Sequence, residues 1–86
     1  MKIIIDIALD VYTRLLEKLD AAGEEFKSLK QDFLIMGGQK SQDGELHLTV
    51  VGDIEKAKVL LEFAVNNLPE AALPIATAIK LASYKL

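Results

Sequence analysis

The sequence predicts a single α+β domain over residues 1–86, with a small, mainly antiparallel sheet and helices packed on it. Two observations predict the strands: a short β-branched run opens the chain, and a run of alternating polarity follows a turn signal near its middle. A third predicts the helices, because the segments after each of these runs have apolar residues at helical spacing. The expected order is β-α-β-β-α-α.

The composition indicates a globular chain with more apolar residues than a small core needs. Hydrophobic residues make up 51% of the sequence, charged residues 27%, and the net charge is −3. Disorder is excluded by this hydrophobicity, and the charge is too small and too mixed for nucleic-acid binding. The absence of cysteine excludes disulfides, thiolate metal sites and thiol nucleophiles, and it favours a cytoplasmic location. The uncharged run over 71–79 is far short of the ~20 residues that cross a membrane, so no membrane partner is expected.

The first third of the chain predicts one strand and one long helix. Residues 2–7 (KIIIDI) place apolar side chains at consecutive positions, which is typical of a central strand covered on both faces. Asp10 is then expected to be the N-cap of a helix. Gly23 is a candidate end of that helix, since glycine is common just past a helix end. The apolar stripe nevertheless continues past Gly23 in steps of three and four, so we favour a helix that reaches about Asp32, with a bend at Gly23 as an option.

The middle of the chain predicts an antiparallel hairpin. An apolar run over 33–38 is followed by the turn signal Asp43-Gly44 and then by the strand 45–51. In the second run, one face carries apolar residues and the other carries His47 and Thr49, as in a half-buried strand. The alternative keeps 33–38 as the end of the long helix and leaves only two strands.

The last third predicts two helices. Asp53 is expected to cap a helix over 54–67 whose core stripe includes Val65, and Pro69 then ends it. Alanine richness favours a helix in the remaining segment, with Pro74 in its first turn. The alternative is a strand over 75–86, which would give the ferredoxin-like order β-α-β-β-α-β.

The C-terminal helix has two apolar faces, although a surface helix of a small domain needs one. The face expected to meet the core comprises Ala72, Ile75, Ala76, Ile79, Ala82 and Leu86. The opposite face is a candidate partner-binding row of Leu73, Thr77, Leu81 and Tyr84, flanked by Lys80 and Lys85. An apolar centre with a charged rim is a common interface composition. The alternative is that both faces are internal, with the helix wedged between the sheet and the first helix.

Residues with chemical potential do not form a recognisable catalytic or metal-binding set. His47 is the single histidine and is expected on the polar face of its strand. Asp6 lies within an apolar strand, where it is either a buried acid or, as we favour, a residue on the outward face. Neither has partners at a spacing that indicates catalysis, so no catalytic residue, metal or cofactor is expected.

These observations favour a non-enzymatic protein–protein interaction module, such as a small regulator, adaptor or inhibitor. The partner is another protein, a second copy of the chain, or both. One alternative is a small ligand-binding or enzyme subunit that uses His47 and Asp6. Another is a DNA-binding regulator, since a strand, helix, glycine and helix resemble the start of ribbon-helix-helix repressors. That strand carries isoleucines and Asp6, and the pI of the chain is near 5.0. Both features fit poorly with contacts to DNA phosphates.

Overall fold

The computed structural model describes residues 1–84 and confirms the predicted class and element order. The strands are β1 (Lys2–Ala8), β2 (Phe33–Lys40) and β3 (Leu46–Asp53), and they form an antiparallel sheet in the order β1-β3-β2. The helices are α1 (Leu9–Ala21), α2 (Glu24–Lys27), a 3-10 helix (Ser28–Asp32), α3 (Ile54–Asn67) and α4 (Pro69–Ser83). None of the helices in this part of the chain is long and apolar enough to cross a membrane.

The helices pack on one face of the sheet, which leaves the other face open. In β1, Ile3, Ile5 and Ile7 are buried on the helix side, whereas Ile4 is 66% exposed. The prediction of a central strand covered on both faces is therefore wrong, because β3 is central and α4 packs alongside β1 instead of over its second face. Strand alternation then directs every second residue of β1 to solvent.

The first helix both begins and ends earlier in the chain than predicted. It begins at Leu9, so Asp10 lies in its first turn, where its side chain makes no capping hydrogen bond and is 3.6 Å from the Arg14 guanidinium. It ends at Ala21, because Gly23 adopts a φ of 103°, which a continuous helix does not allow. Helix α2 and the 3-10 helix follow this break. The chain is therefore helical almost to Phe33, but the prediction of one continuous helix to about Asp32 is wrong.

The predicted hairpin is confirmed, and the helical alternative for 33–38 is wrong. Gly44 takes a φ of 85° in the turn, and Asp43 accepts a hydrogen bond of 3.0 Å from the Glu45 backbone N–H. Leu48 and Val50 point into the core, as the alternation predicts. A β-bulge in β2 lies between Ile35 and Gly37 and was not predicted.

The last two elements are helices, so the ferredoxin-like alternative is wrong over the described part of 75–86. Asp53 caps α3 as predicted, accepting a 3.0 Å hydrogen bond from the Glu55 N–H. Val65 is exposed and does not belong to the core stripe, because α3 buries the side that carries Leu60 and Phe63. Pro74 lies inside α4, whose first residue is Pro69, and not in its first turn.

Candidate protein-interaction surface

The predicted partner-binding row of α4 is exposed to solvent. We call Leu73, Thr77, Leu81 and Tyr84 the outer row; Leu73 is 74% exposed and Leu81 57%. The alternative in which both faces of this helix are internal is therefore wrong. On its opposite side α4 buries Ala71, Ile75, Ala78 and Ala82, a set shifted from the predicted stripe. Lys80 is exposed beside the outer row, whereas the predicted residues Lys85 and Leu86 lie outside the described residues.

The outer row borders a cleft between α4 and β1. Leu73, Thr77 and Leu81 line this cleft of about 310 Å³ together with Ile4 and Asp6. An adjoining cleft of about 360 Å³ shares Ile4, Asp6 and Leu81 and continues toward the start of β1. We call Ile4, Leu73 and Leu81 the apolar strip. Ile4 was missed as a surface residue, although the polarity of Asp6, on the same strand face, is a signal for it.

The apolar strip continues across the open face of the sheet. In the strand register Ile4 lies opposite Val51, and Val51 lies opposite Leu34 on its other side. These three side chains form a row across all three strands, because residues that are directly opposite point to the same face. Ile4 and Leu34 are both largely exposed. Contiguous apolar patches of this kind on small proteins mark interaction sites.

His47 and Asp6, the two residues of the enzyme alternative, are in contact on the open face. The His47 Nδ1 atom lies 3.2 Å from Asp6 Oδ1, and its Nε2 atom lies 3.6 Å from Glu45 Oε2. Asp6 is on the outward face, as favoured from the sequence. The contact with Asp6 orients the imidazole within a polar cluster, whereas Nε2 is beyond hydrogen-bond distance of Glu45. Within residues 1–84, no group of three His, Asp or Glu side chains is placed to hold a metal ion.

The charged residues around the apolar strip differ in whether they are already paired. Asp6 is engaged by His47, and Glu70 near the start of α4 binds the Arg14 guanidinium at 2.7 Å. Lys80 makes no ion pair with any residue in the described range. The uncompensated charge beside the outer row is therefore positive.

Comparison with known proteins adds no relative from which a role could be transferred. No protein-family model matches the chain, and neither a curated protein nor a solved structure matches it significantly.

Proposed function

We propose that this domain is a non-enzymatic protein–protein interaction module, a small regulator, adaptor or inhibitor that acts in the cytoplasm by occupying a partner's surface. The observation that carries the proposal is the cleft between α4 and β1, which is lined by exposed apolar side chains. A folded domain with this much exposed leucine and isoleucine in one place gains free energy when another surface covers it.

The chemistry of the apolar strip specifies the kind of partner. Burial of the exposed parts of Ile4, Leu73 and Leu81 would contribute roughly 1–2 kcal/mol each before the costs of association. A partner that inserts an apolar side chain into the cleft obtains most of this free energy. Since Lys80, beside the strip, has no ion-pair partner among residues 1–84, an acidic residue at the rim of the partner's surface would complement it.

The two alternative functions draw less support from the geometry. The His47–Asp6 contact lies on an open sheet face, where it forms a polar border to the apolar row. The strand that a ribbon-helix-helix protein would insert into DNA corresponds to β1, which here is paired with β3 of its own chain and exposes Ile4 and Asp6. Neither feature offers the basic surface that phosphate binding requires.

A capture experiment with matched variants tests the proposal. The tagged full-length chain is incubated with an extract of the cells that produce it, and the retained proteins are identified by mass spectrometry. The double variant Leu73→Asp/Leu81→Asp should lose the specific partner, because it places two carboxylates where apolar side chains would be buried. The control Val65→Asp changes a residue that is 56% exposed on α3, away from the strip, and should retain it.

Direct binding to the purified partner then gives the quantitative result. The double variant should raise the Kd at least about 100-fold, which corresponds to roughly 2.7 kcal/mol. Circular dichroism should show the same folded spectrum for all three proteins. A double variant that is folded and binds the partner as tightly as the wild type would refute the proposed surface.

A further inference from the structure

The free edge of β2 is a second surface, separate from the apolar strip. Within residues 1–84, β2 pairs with β3 on one side and with no strand on the other, and every residue of 34–40 is exposed. The outer edge of β1, by contrast, lies beside α4. An edge strand presents unpaired N–H and C=O groups, which are a template for pairing with another strand.

The hairpin identifies which backbone groups of β2 point outward near its end. The Ser41 N–H donates to the Glu45 carbonyl at 2.8 Å, so Ser41 directs its backbone toward β3. Directions alternate along a strand, so Lys40 and Gly38 direct their N–H and C=O groups to the free edge. Both residues lie on the helix side of the sheet, since Gly38 is opposite the buried Leu48.

The bulge reverses this alternation in the first half of β2. Leu34 lies opposite Val51, which has the same backbone direction as Glu45, so Leu34 directs its backbone toward β3. Phe33 and Ile35 therefore direct their groups to the free edge. They also lie on the helix side of the sheet, since Ile35 is opposite the buried Val50.

We propose that two copies of this chain pair antiparallel through β2 about a two-fold axis, forming a continuous six-stranded sheet. The register places Ile35 opposite Gly38 of the second copy and Phe33 opposite its Lys40, and the reverse. All four residues direct backbone N–H and C=O groups to the free edge, where they can hydrogen-bond to one another. Their side chains all lie on the helix side of the sheet. The bulges of the two copies are opposite each other. In a regular strand the residues directed to the free edge are two positions apart, but the bulge separates Ile35 from Gly38 by three, and the second copy has the same spacing at this point.

Side-chain size and charge favour the same register. The large Ile35 meets Gly38, and Met36 meets Gly37, so a large residue on one strand faces a glycine on the other. Between residues 32 and 41 the charged side chains are Asp32, just before β2, and Lys40, its last residue. Neither has an ion-pair partner within the described residues. Antiparallel pairing brings unlike ends together, whereas parallel pairing would bring like charges together.

This dimer does not depend on the proposed function. A two-fold axis perpendicular to the sheet keeps the open faces of both copies on one side. The row formed by Ile4, Val51 and Leu34 and the same row of the second copy would then lie on one side of the sheet, displaced along the strands because Leu34 is opposite Gln39 of the second copy. A dimeric module would present two apolar strips on a single surface.

Light scattering and disulfide trapping of the full chain test the dimer and its register. At sub-millimolar concentration the mass should be twice the 9.4 kDa of one chain. Met36→Lys should give a monomer with an unchanged circular dichroism spectrum, because two lysines would be diagonal neighbours at the centre of the interface and repel each other. Val65→Lys, the same charge change at an exposed site on α3, should remain a dimer.

The chain contains no cysteine, so an introduced pair reports the register directly. Leu34→Cys/Gln39→Cys places two thiols at directly opposite positions of a pair that is not hydrogen-bonded, where strands approach most closely. It should form a covalent dimer on mild oxidation, and the shifted control Leu34→Cys/Ser41→Cys should not. A monomeric wild-type chain, or a dimer in which the shifted pair cross-links instead, would overturn the proposal. Leu73→Asp/Leu81→Asp should remain a dimer, which separates this result from that of the proposed function.

Discussion

Truncation of side chains on the two sides of α4 should have very different effects on stability. Ile75 is 1% exposed and packs in the core, whereas Leu81, on the opposite side, is 57% exposed. Ile75→Ala removes buried apolar groups and leaves a cavity, which should lower the free energy of unfolding by about 2–5 kcal/mol. Leu81→Ala removes a side chain that already contacts water, so the change should stay within about 0.5 kcal/mol.

Urea unfolding followed by circular dichroism measures this contrast. Both variants and the wild type are compared at one protein concentration, because association would otherwise change the apparent stability. The m-value should stay constant, so that the shift in midpoint reports stability alone. In thermal unfolding, each kcal/mol corresponds to about 4–8 °C in Tm for a domain of this size. A loss of more than 2 kcal/mol for Leu81→Ala would show that the outer row belongs to the core, and the reasoning for a binding surface would fail.

Three further changes test the local physics of the fold. Gly52→Ala should destabilise the domain by about 1–3 kcal/mol in urea unfolding, since an added Cβ would lie 2.3 Å from the Phe33 ring; an unchanged midpoint would contradict this packing. Asp53→Ala should lower the free energy of unfolding by about 1 kcal/mol because it removes the N-cap of α3, whereas Asp53→Asn, which can still cap, should lower it much less. Equal losses in the two variants would argue against capping. Hydrogen bonds from the Ser41 hydroxyl and a backbone N–H hold the pKa of Asp43 below its usual value. The ionised Asp43 side chain therefore stabilises the fold above its unfolded pKa of about 3.9, and this stabilisation is lost as the pH falls through the folded pKa. Asp43→Asn should make the free energy of unfolding less dependent on pH in this acidic range. An unchanged pH dependence would refute this role of Asp43.

Strong local patterns made much of the fold predictable from the sequence. The alternation around Leu48 and the Asp43-Gly44 turn predicted the hairpin, because period-two polarity and a glycine with positive φ have few other solutions. The outer row of α4 was also predictable, since the helix carries more apolar residues than one core-facing stripe needs.

Features that depend on tertiary packing were not predictable. Ile4 has the same side chain as its buried neighbours, so apart from the polarity of Asp6 on the same strand face, its exposure follows from the absence of a second helical layer. The apolar periodicity continued through Gly23 because Phe26 and Leu29 join the core although the helix is interrupted. The contact between His47 and Asp6 required the register of β1 on β3, which local sequence patterns do not reveal.

Photo-cross-linking from the outer row tests the central claim, binding of a partner protein through the apolar strip, most directly. A benzophenone amino acid replaces Leu81 in the full chain within the cells that produce it, and a matched variant carries it at the exposed Val65. We expect a specific adduct with one partner protein from position 81 and none from position 65. The adduct should disappear when Leu73→Asp is added. Equal labelling from both positions, or an adduct that survives Leu73→Asp, would contradict the account.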